Sequence, residues 1–297
     1  MPAARLRGSG GAGIFPVMGA GSQARGARTE KRKTMDRIQL KEQLAGCEKV
    51  LIGLGEEWKS GEEVRLGRAY QALYELVKEK DYFIVTMATD ARIYETALGS
   101  RQEMVQAAGQ APGEDLCCEA LEEGLREKMD RIFPPKQELK ESRWQRIVAP
   151  CGNETWRQCS LACTKDIWEP GEIPDDRCPH CGAPMTGNTT EAQVYIEEGY
   201  LPQWERYTHW LAGTLNKKTL ILELGVGFGN PGVIRFPFEK AAYFNQKAFL
   251  CRVNMRFPQI AGELHGRARG IAADSVEWMA SFLADNEPDG SGGKVNI

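Results

Sequence analysis

Apolar, β-rich runs that stop at glycine turns, amphipathic stretches between them, and two close cysteine pairs in mid-chain predict an α/β protein. The expected architecture is a Rossmann-like parallel sheet with an inserted four-cysteine zinc-ribbon module. At 297 residues the chain has room for one large domain and a small module.

Residues 1–34 are rich in Gly, Ala and Arg and show no apolar periodicity, so a disordered tail is expected there, with Met35 as the true start. The glycine run Gly8–Gly13 has no strand before it, which leaves it weak as a phosphate loop. The Arg-rich, acid-poor composition also fits a transit peptide. Residues 35–150 are expected to form the first part of the sheet domain. A helical stretch over Arg37–Glu48 leads into the buried-type strand Val50-Leu51-Ile52, which ends at Gly53-Leu54-Gly55. Leu66, Ala69, Tyr70, Leu73, Leu76 and Val77 recur at helical spacing, and Tyr82–Thr86 is a second strand, completing a βαβ unit. A helical insert is expected at about 103–143, where Leu116, Ala120, Leu121, Leu125 and Met129 share a face before Pro134-Pro135 ends the run.

The cysteine pairs Cys159/Cys163 and Cys178/Cys181 fall in the expected zinc-binding module, 151–190. Two or three residues within each pair and fourteen between them match structural zinc spacing, since a tight turn can present two thiolates to one tetrahedral ion. Four thiolates close the shell, which argues against a catalytic zinc. His180 lies inside the second pair and reads as an exposed turn residue. The remaining cysteines (Cys47, Cys117, Cys118, Cys151, Cys251) are scattered, and nothing resembles a secretory signal, so a disulfide framework is not expected and the compartment reads as cytoplasmic.

Residues 191–284 are expected to complete the sheet domain, with 285–297 a flexible tail. Trp204, Tyr207 and Trp210 have the spacing of a helix facing the core. Thr219–Leu224 is a strand that enters Gly225-Val226-Gly227-Phe228-Gly229, and Phe249–Val253 is a strand that ends at Asn254.

The net charge of −3 is unevenly spread. Seven Lys/Arg against one Glu in residues 1–34 leave 31 basic and 40 acidic residues for the rest. An acidic folded region argues against nucleic acid as a partner. The sequence has no apolar run of the roughly 18–20 residues that a membrane span needs.

Ligands of open α/β sheets sit at the carboxyl ends of the strands. Gly53 to Gly55, Thr86 to Asp90, Gly225 to Gly227 and Asn254 are therefore expected to converge on one crevice for a dinucleotide or a similar ligand. Glycines that merely permit tight turns are the alternative at any single loop.

These residues resemble the sirtuin family in order across about 47–283. Gly53-Leu54-Gly55 with Ser60-Gly61 is similar to that family's glycine loop, and Thr86-Met87-Ala88-Thr89-Asp90 to its Thr-Gln-Asn-Ile-Asp motif. Cys151-Gly152 stands at the His-Gly position, Gly225-Val226-Gly227 at Gly-Thr-Ser, Val253-Asn254 at the ribose-binding Asn, and Gly270-Ile271 at the last adenine-facing turn. The run Glu223–Gly227 with Arg235-Phe236-Pro237-Phe238 most resembles the bacterial branch linked to macrodomains and associated with protein ADP-ribosylation.

The resemblance implies NAD and zinc as cofactors and an acceptor protein as a further partner. It implies cofactor contacts from Gly53, Gly55, Thr86, Asp90, Gly225, Val226, Gly227, Asn254, Gly270 and Ile271, with Asp90 on the nicotinamide amide. It places Asp90 and Cys151 at catalytic positions. The departures are specific: Cys151 replaces the general-base histidine, and Ala88 replaces the asparagine that orders water and ribose. A thiol with an ordinary pKa of about 8.5, against about 6.5 for imidazole, is a poor base at neutral pH. Glu56 and Glu57 sit awkwardly beside a pyrophosphate loop, with Arg65 and Arg68 as candidate screens. The expected activity is an NAD-consuming transfer, protein ADP-ribosylation or NAD cleavage ahead of lysine deacetylation. A catalytically inactive NAD-binding sensor or scaffold is the alternative, and an NAD-dependent protein deacylase the further one.

Overall fold

A computed structural model describes residues 35–59, 63–99, 146–173 and 175–284. The tails at 1–34 and 285–297, the insert at 103–143 and Cys117-Cys118 lie outside the described residues. The chain divides into two compact units, Met1–Lys41 and Glu42–Ile297, and the fold below is that of the second. The helix expected over Arg37–Glu48 is found at 35–46 (α1).

Among the described residues, six strands form one sheet in the order β3-β2-β1-β6-β7-β8. They are β1 (Lys49–Leu54), β2 (Asp81–Thr86), β3 (Ile147–Val148), β6 (Thr219–Leu224), β7 (Ala248–Val253) and β8 (Ala268–Ile271). Every pairing between them is parallel. The chain winds outward from β1 to β3, then returns to β6 on the other side of β1 and winds the opposite way. This is the order of a doubly wound sheet, whose direction reverses between β1 and β6.

Period-2 alternation decides which residues share a face. Leu51, Phe83, Val85, Ile221 and Leu250 join one core cluster with Tyr207 from α3 (Leu201–Ala212) and Phe238 and Ala242 from α4 (Arg235–Phe244). Val50, Ile52, Leu54, Ile84 and Leu222 point to the other face and are equally inaccessible. Parallel strands need cover on both faces. On that side α2 (Glu63–Val77) carries the buried stripe Leu66, Ala69, Tyr70 and Leu73, and α5 (Ser275–Ala284) carries Val276, Met279 and Phe282. The two helices pack along each other. In α3, Tyr207 is buried while Trp204 and Trp210 are partly buried against the same cluster, so the aromatic stripe is packing.

A second, two-stranded antiparallel ribbon pairs β4 (Gly152–Cys159) with β5 (Met185–Thr189) and carries a register shift between Asn153 and Arg157. Gln158 and Asn188, both buried, anchor it. The Asn188 amide donates to Gln158 Oε1 at 2.7 Å and to the Ile196 carbonyl at 2.7 Å, and Gln158 donates to the Val194 carbonyl at 2.6 Å. Linked buried amides of this kind hold a module in one arrangement, although Asn188 Oδ1 is itself buried without a hydrogen-bond partner among the described residues.

Candidate functional site

The loops that leave the carboxyl ends of the strands extend the sheet's own hydrogen bonding. Met87 N–H donates to the Leu54 carbonyl (2.9 Å), Gly55 N–H to Leu224 (2.8 Å), Gly225 N–H to Val253 (2.8 Å) and Asn254 N–H to Ile271 (3.1 Å). Gly53, Gly55, Thr86, Gly225, Val226, Gly227, Asn254, Gly270 and Ile271 thus lie along one edge of the sheet, centred on the reversal between β1 and β6.

Their side-chain space differs from one position to the next. A Cβ on Gly55 would collide with the backbone of Gly225 and Val226, and Gly225 itself has φ +67°. Both glycines are required by the close approach of the two loops. A Cβ on Gly53 would meet Phe238 Cε2 at 2.7 Å and collide with Ile234, so this glycine makes room for α4. Gly270 makes room for the Pro258 carbonyl. Gly227 is the exception, because its nearest neighbour would be the Glu56 carboxylate, at 3.4 Å.

Glu56 and Glu57 occupy the positions that the sequence makes awkward. Gly227 N–H donates to Glu56 Oε2 at 2.8 Å. Glu57 Oε2 accepts from Ser275 N–H at 2.9 Å and Ser275 Oγ at 2.6 Å, and Trp58 Nε1 donates to the same hydroxyl at 3.1 Å. Glu57 therefore caps the N-terminus of α5, where the helix dipole favours a negative charge. The screening expected of Arg65 is directed elsewhere, since its guanidinium pairs with Asp274. Arg68 is exposed on α2.

Other candidates are engaged in building the loops. The Asn254 amide nitrogen donates to the Val226 carbonyl at 3.1 Å, and its oxygen accepts from the Arg256 and Phe257 N–H groups at 2.8 Å each. Thr86 Oγ1 is buried and accepts from Ala88 N–H at 3.1 Å. Beneath these loops lies a buried ion network. Arg252 donates to both Glu223 oxygens (2.7 and 2.9 Å) and reaches Glu239, while Arg235 donates to the Val226 and Phe257 carbonyls at 3.3 and 3.2 Å. Burial pushes the Glu223 carboxyl up, and Arg252 and Arg235 pull against that. Neither arginine stood out in the sequence as a site residue. The available signal for Arg252 was its charge, like that of Glu223, near the end of an otherwise apolar strand, AFLCRV and TLILEL, whereas Arg235 at the start of α4 gave none.

Asp90 and Cys151 flank this edge. Asp90 Oδ1 accepts from Arg92 N–H at 3.3 Å, and Oδ2 lies 3.4 Å from Arg92 Nε. Asp90 Oδ2 and the Tyr70 hydroxyl are both buried without a hydrogen-bond partner among the described residues. Burial holds the Asp90 carboxyl above the usual carboxylate range, with Arg92 opposing. Burial and then the Asp90 charge push the Tyr70 hydroxyl up, which places the two groups within Coulomb reach. Burial also raises the Cys151 thiol, with Glu56 adding to the effect and Lys59 opposing it. Burial and the charge of the same Glu56 that binds Gly227 thus both disfavour the Cys151 thiolate.

In the ribbon, Cys159, Cys163, Cys178 and Cys181 each offer one sulfur, and all four lie within 4.8 Å of one another. The Cys159–Cys181 and Cys163–Cys178 sulfur distances are 3.6 and 3.5 Å. A tetrahedron with metal–sulfur bonds of about 2.3 Å has edges of about 3.8 Å, so the four cysteines could hold a metal ion and are compatible with a zinc site. Two tight turns position them: Ala162 N–H donates to the Cys159 carbonyl (2.9 Å) and Gly182 N–H to that of Cys178 (2.8 Å). Ala162 and Gly182 take the left-handed φ values of +48° and +72° that such turns require. The Cys163 backbone N–H lowers the Cys159 thiol to about 6, whereas the Cys181 sulfur raises Cys163. Sulfurs this close resist ionising together unless a cation sits among them. His180 instead pairs with Asp166 at 2.9 Å on the exposed side.

No family model matches the chain. Over 150 residues the chain is 27% identical to a protein of Staphylococcus aureus (strain Mu50 / ATCC 700699) named protein ADP-ribosyltransferase. The match covers 48% of this chain and 47% of that relative, so the chain spans about half the length of the curated relative it matches. Among the described residues, no helix is long and apolar enough to cross a membrane.

Proposed function

We propose that the chain is a sirtuin-like NAD-binding protein that consumes NAD, transferring ADP-ribose to an acceptor protein or to water, with a structural zinc in its ribbon. The observation that carries this reading is that Asp90 Oδ2, beyond the carboxyl end of β2, and the Tyr70 hydroxyl are buried without a hydrogen bond among the described residues, Oδ2 having only its 3.4 Å ion contact with Arg92. Buried polar atoms of this kind cost free energy unless a ligand or water supplies their hydrogen bonds. A carboxylate oxygen and a hydroxyl, each in need of a hydrogen bond, suit an amide such as that of nicotinamide. The name of the Staphylococcus relative supports the same class of chemistry.

In this reading Asp90 and Tyr70 orient the nicotinamide end, Arg92 balances the Asp90 charge, and the loops at Gly225–Gly227 and Asn254 line the rest of the crevice. NAD supplies the ADP-ribosyl group. Transfer to protein or water is favoured over lysine deacylation because no group here matches a neutral base. The Cys151 thiol is pushed up by burial and the Ala88 side chain can neither donate nor accept. Loss of a general base typically costs about 10² to 10⁴ in rate, so slow turnover is expected. The second reading, an inactive NAD sensor or scaffold, is favoured by the Glu56 carboxylate on the Gly227 amide.

The test is to incubate pure protein with NAD, quantify nicotinamide, and search for ADP-ribosylated protein by mass spectrometry. Nicotinamide release that disappears in Asp90→Ala supports the transferase. NAD binding without any release supports the sensor.

A further inference from the structure

The carboxylate pair that follows the first glycine loop is split between two tasks. Glu57 is bound by a backbone amide, a hydroxyl and, through that hydroxyl, the Trp58 indole. Its role is to cap α5. Glu56 is held by one backbone amide, that of Gly227, at 2.8 Å. It is half-buried, borders the exposed Gly229, and its Oε1 would lie 3.0 Å from a Cβ placed there.

The Gly227 amide stands where the sheet reverses, in the glycine turn that follows β6. Backbone amides at such a turn are the groups that accept anionic oxygens. Here the anion is the chain's own. A side chain that the β1–β6 pairing holds beside the amide competes at a high effective concentration, and charge-assisted hydrogen bonds are about twice as strong as neutral ones.

We propose that Glu56 is an intramolecular competitor of the phosphate groups of a dinucleotide. Its carboxylate takes the Gly227 amide and must swing out toward Gly229 before a phosphate oxygen can take its place. The proposal rests on the NAD reading for its ligand but not for its anion chemistry. Glu56 thus sets the affinity of the crevice: the state that accepts phosphate is only a fraction of the whole, and apparent affinity falls by that fraction.

Calorimetric titration of the full chain separates the possibilities, with NAD and inorganic pyrophosphate as ligands and with wild type, Glu56→Ala, Glu56→Gln and Glu57→Gln as proteins. Glu56→Ala is expected to bind NAD about tenfold tighter or more, as befits release from a charge-assisted hydrogen bond, and to gain measurable pyrophosphate binding. Glu56→Gln keeps an acceptor for Gly227 without the charge and is expected in between. Glu57→Gln should lose stability and gain no affinity. Equal NAD affinity in wild type and both Glu56 variants overturns the proposal and leaves the NAD reading standing. Pyrophosphate binding gained by Glu56→Ala, with no variant binding NAD, upholds the competitor and overturns the NAD reading. Binding of neither ligand by folded Glu56 variants overturns both.

Discussion

Asp90 carries a burial cost that the proposed role on nicotinamide would account for. Its carboxyl is raised by burial, more than Arg92 lowers it. The folded pKa therefore lies above the unfolded value of about 3.9, and the folded chain holds the proton in the window between them. The contribution of this group to stability is fully present below the unfolded pKa and is lost as pH rises through the folded pKa. Asp90→Asn removes that loss. We expect the variant to melt higher than wild type near neutral pH and to lose the advantage at low pH, in thermal melts from about pH 4 to pH 7. A variant that melts lower at pH 7 would mean that the pairing with Arg92 outweighs the cost of burial. Asp90 was legible as a candidate because it follows a strand's carboxyl end and matches the last position of the motif that carries the family resemblance. The burial of Tyr70 beside it was not, since Tyr70 reads in sequence as one member of an apolar helical stripe. Glu56 and Glu57 were legible as misfits, but their partners Gly227 and Ser275 lie 171 and 218 residues away and only the fold brings them together.

At the scale of elements, what was local was legible. The strands at Val50, Tyr82, Thr219 and Phe249 declare themselves by continuous apolar runs, and each is found within one or two residues of its expected bounds. The short edge strand β3 and the ribbon strands β4 and β5 do not, because GNETWRQC and MTGNT lack apolar alternation. Their pairing is decided by the cysteine turns and by the Gln158–Asn188 network. The ribbon then depends on its metal if zinc is present. Purified protein is expected to carry about one zinc per chain by elemental analysis. Chelation or Cys178→Ser is expected to unfold the ribbon, given that structural zinc supplies on the order of 10 kcal/mol. Metal-free protein with unchanged protection of the β4–β5 amides from hydrogen exchange would contradict this. The Glu223–Arg252–Arg235 network was illegible for a different reason. Its members are 12 and 29 residues from Glu223, and a charge inside a strand reads as a solvent-facing position until both faces are known to be covered.

For the whole molecule, the order β3-β2-β1-β6-β7-β8 turns a list of glycine turns into a site, because it sets the loops after β1 and β6 side by side at the reversal. That convergence follows from the alternation of strands and helices, which the sequence displays. Which groups remain available there does not follow, since Asn254, Thr86, Gly53 and Gly270 turn out to be engaged in the fold's own construction. Gly227 is different: its amide meets the Glu56 carboxylate, its φ lies outside the left-handed region, and a Cβ there would meet nothing nearer than that carboxylate at 3.4 Å, so a larger side chain is expected to leave the fold intact while filling the space proposed for the cofactor. In the proposed function NAD binds at this reversal. Its most direct test is calorimetric titration of NAD into wild type, Cys151→Ala and Gly227→Val, each shown to be folded by circular dichroism. Wild type and Cys151→Ala are expected to bind NAD alike and Gly227→Val to bind none, whereas undiminished binding by Gly227→Val would place NAD elsewhere and contradict the account.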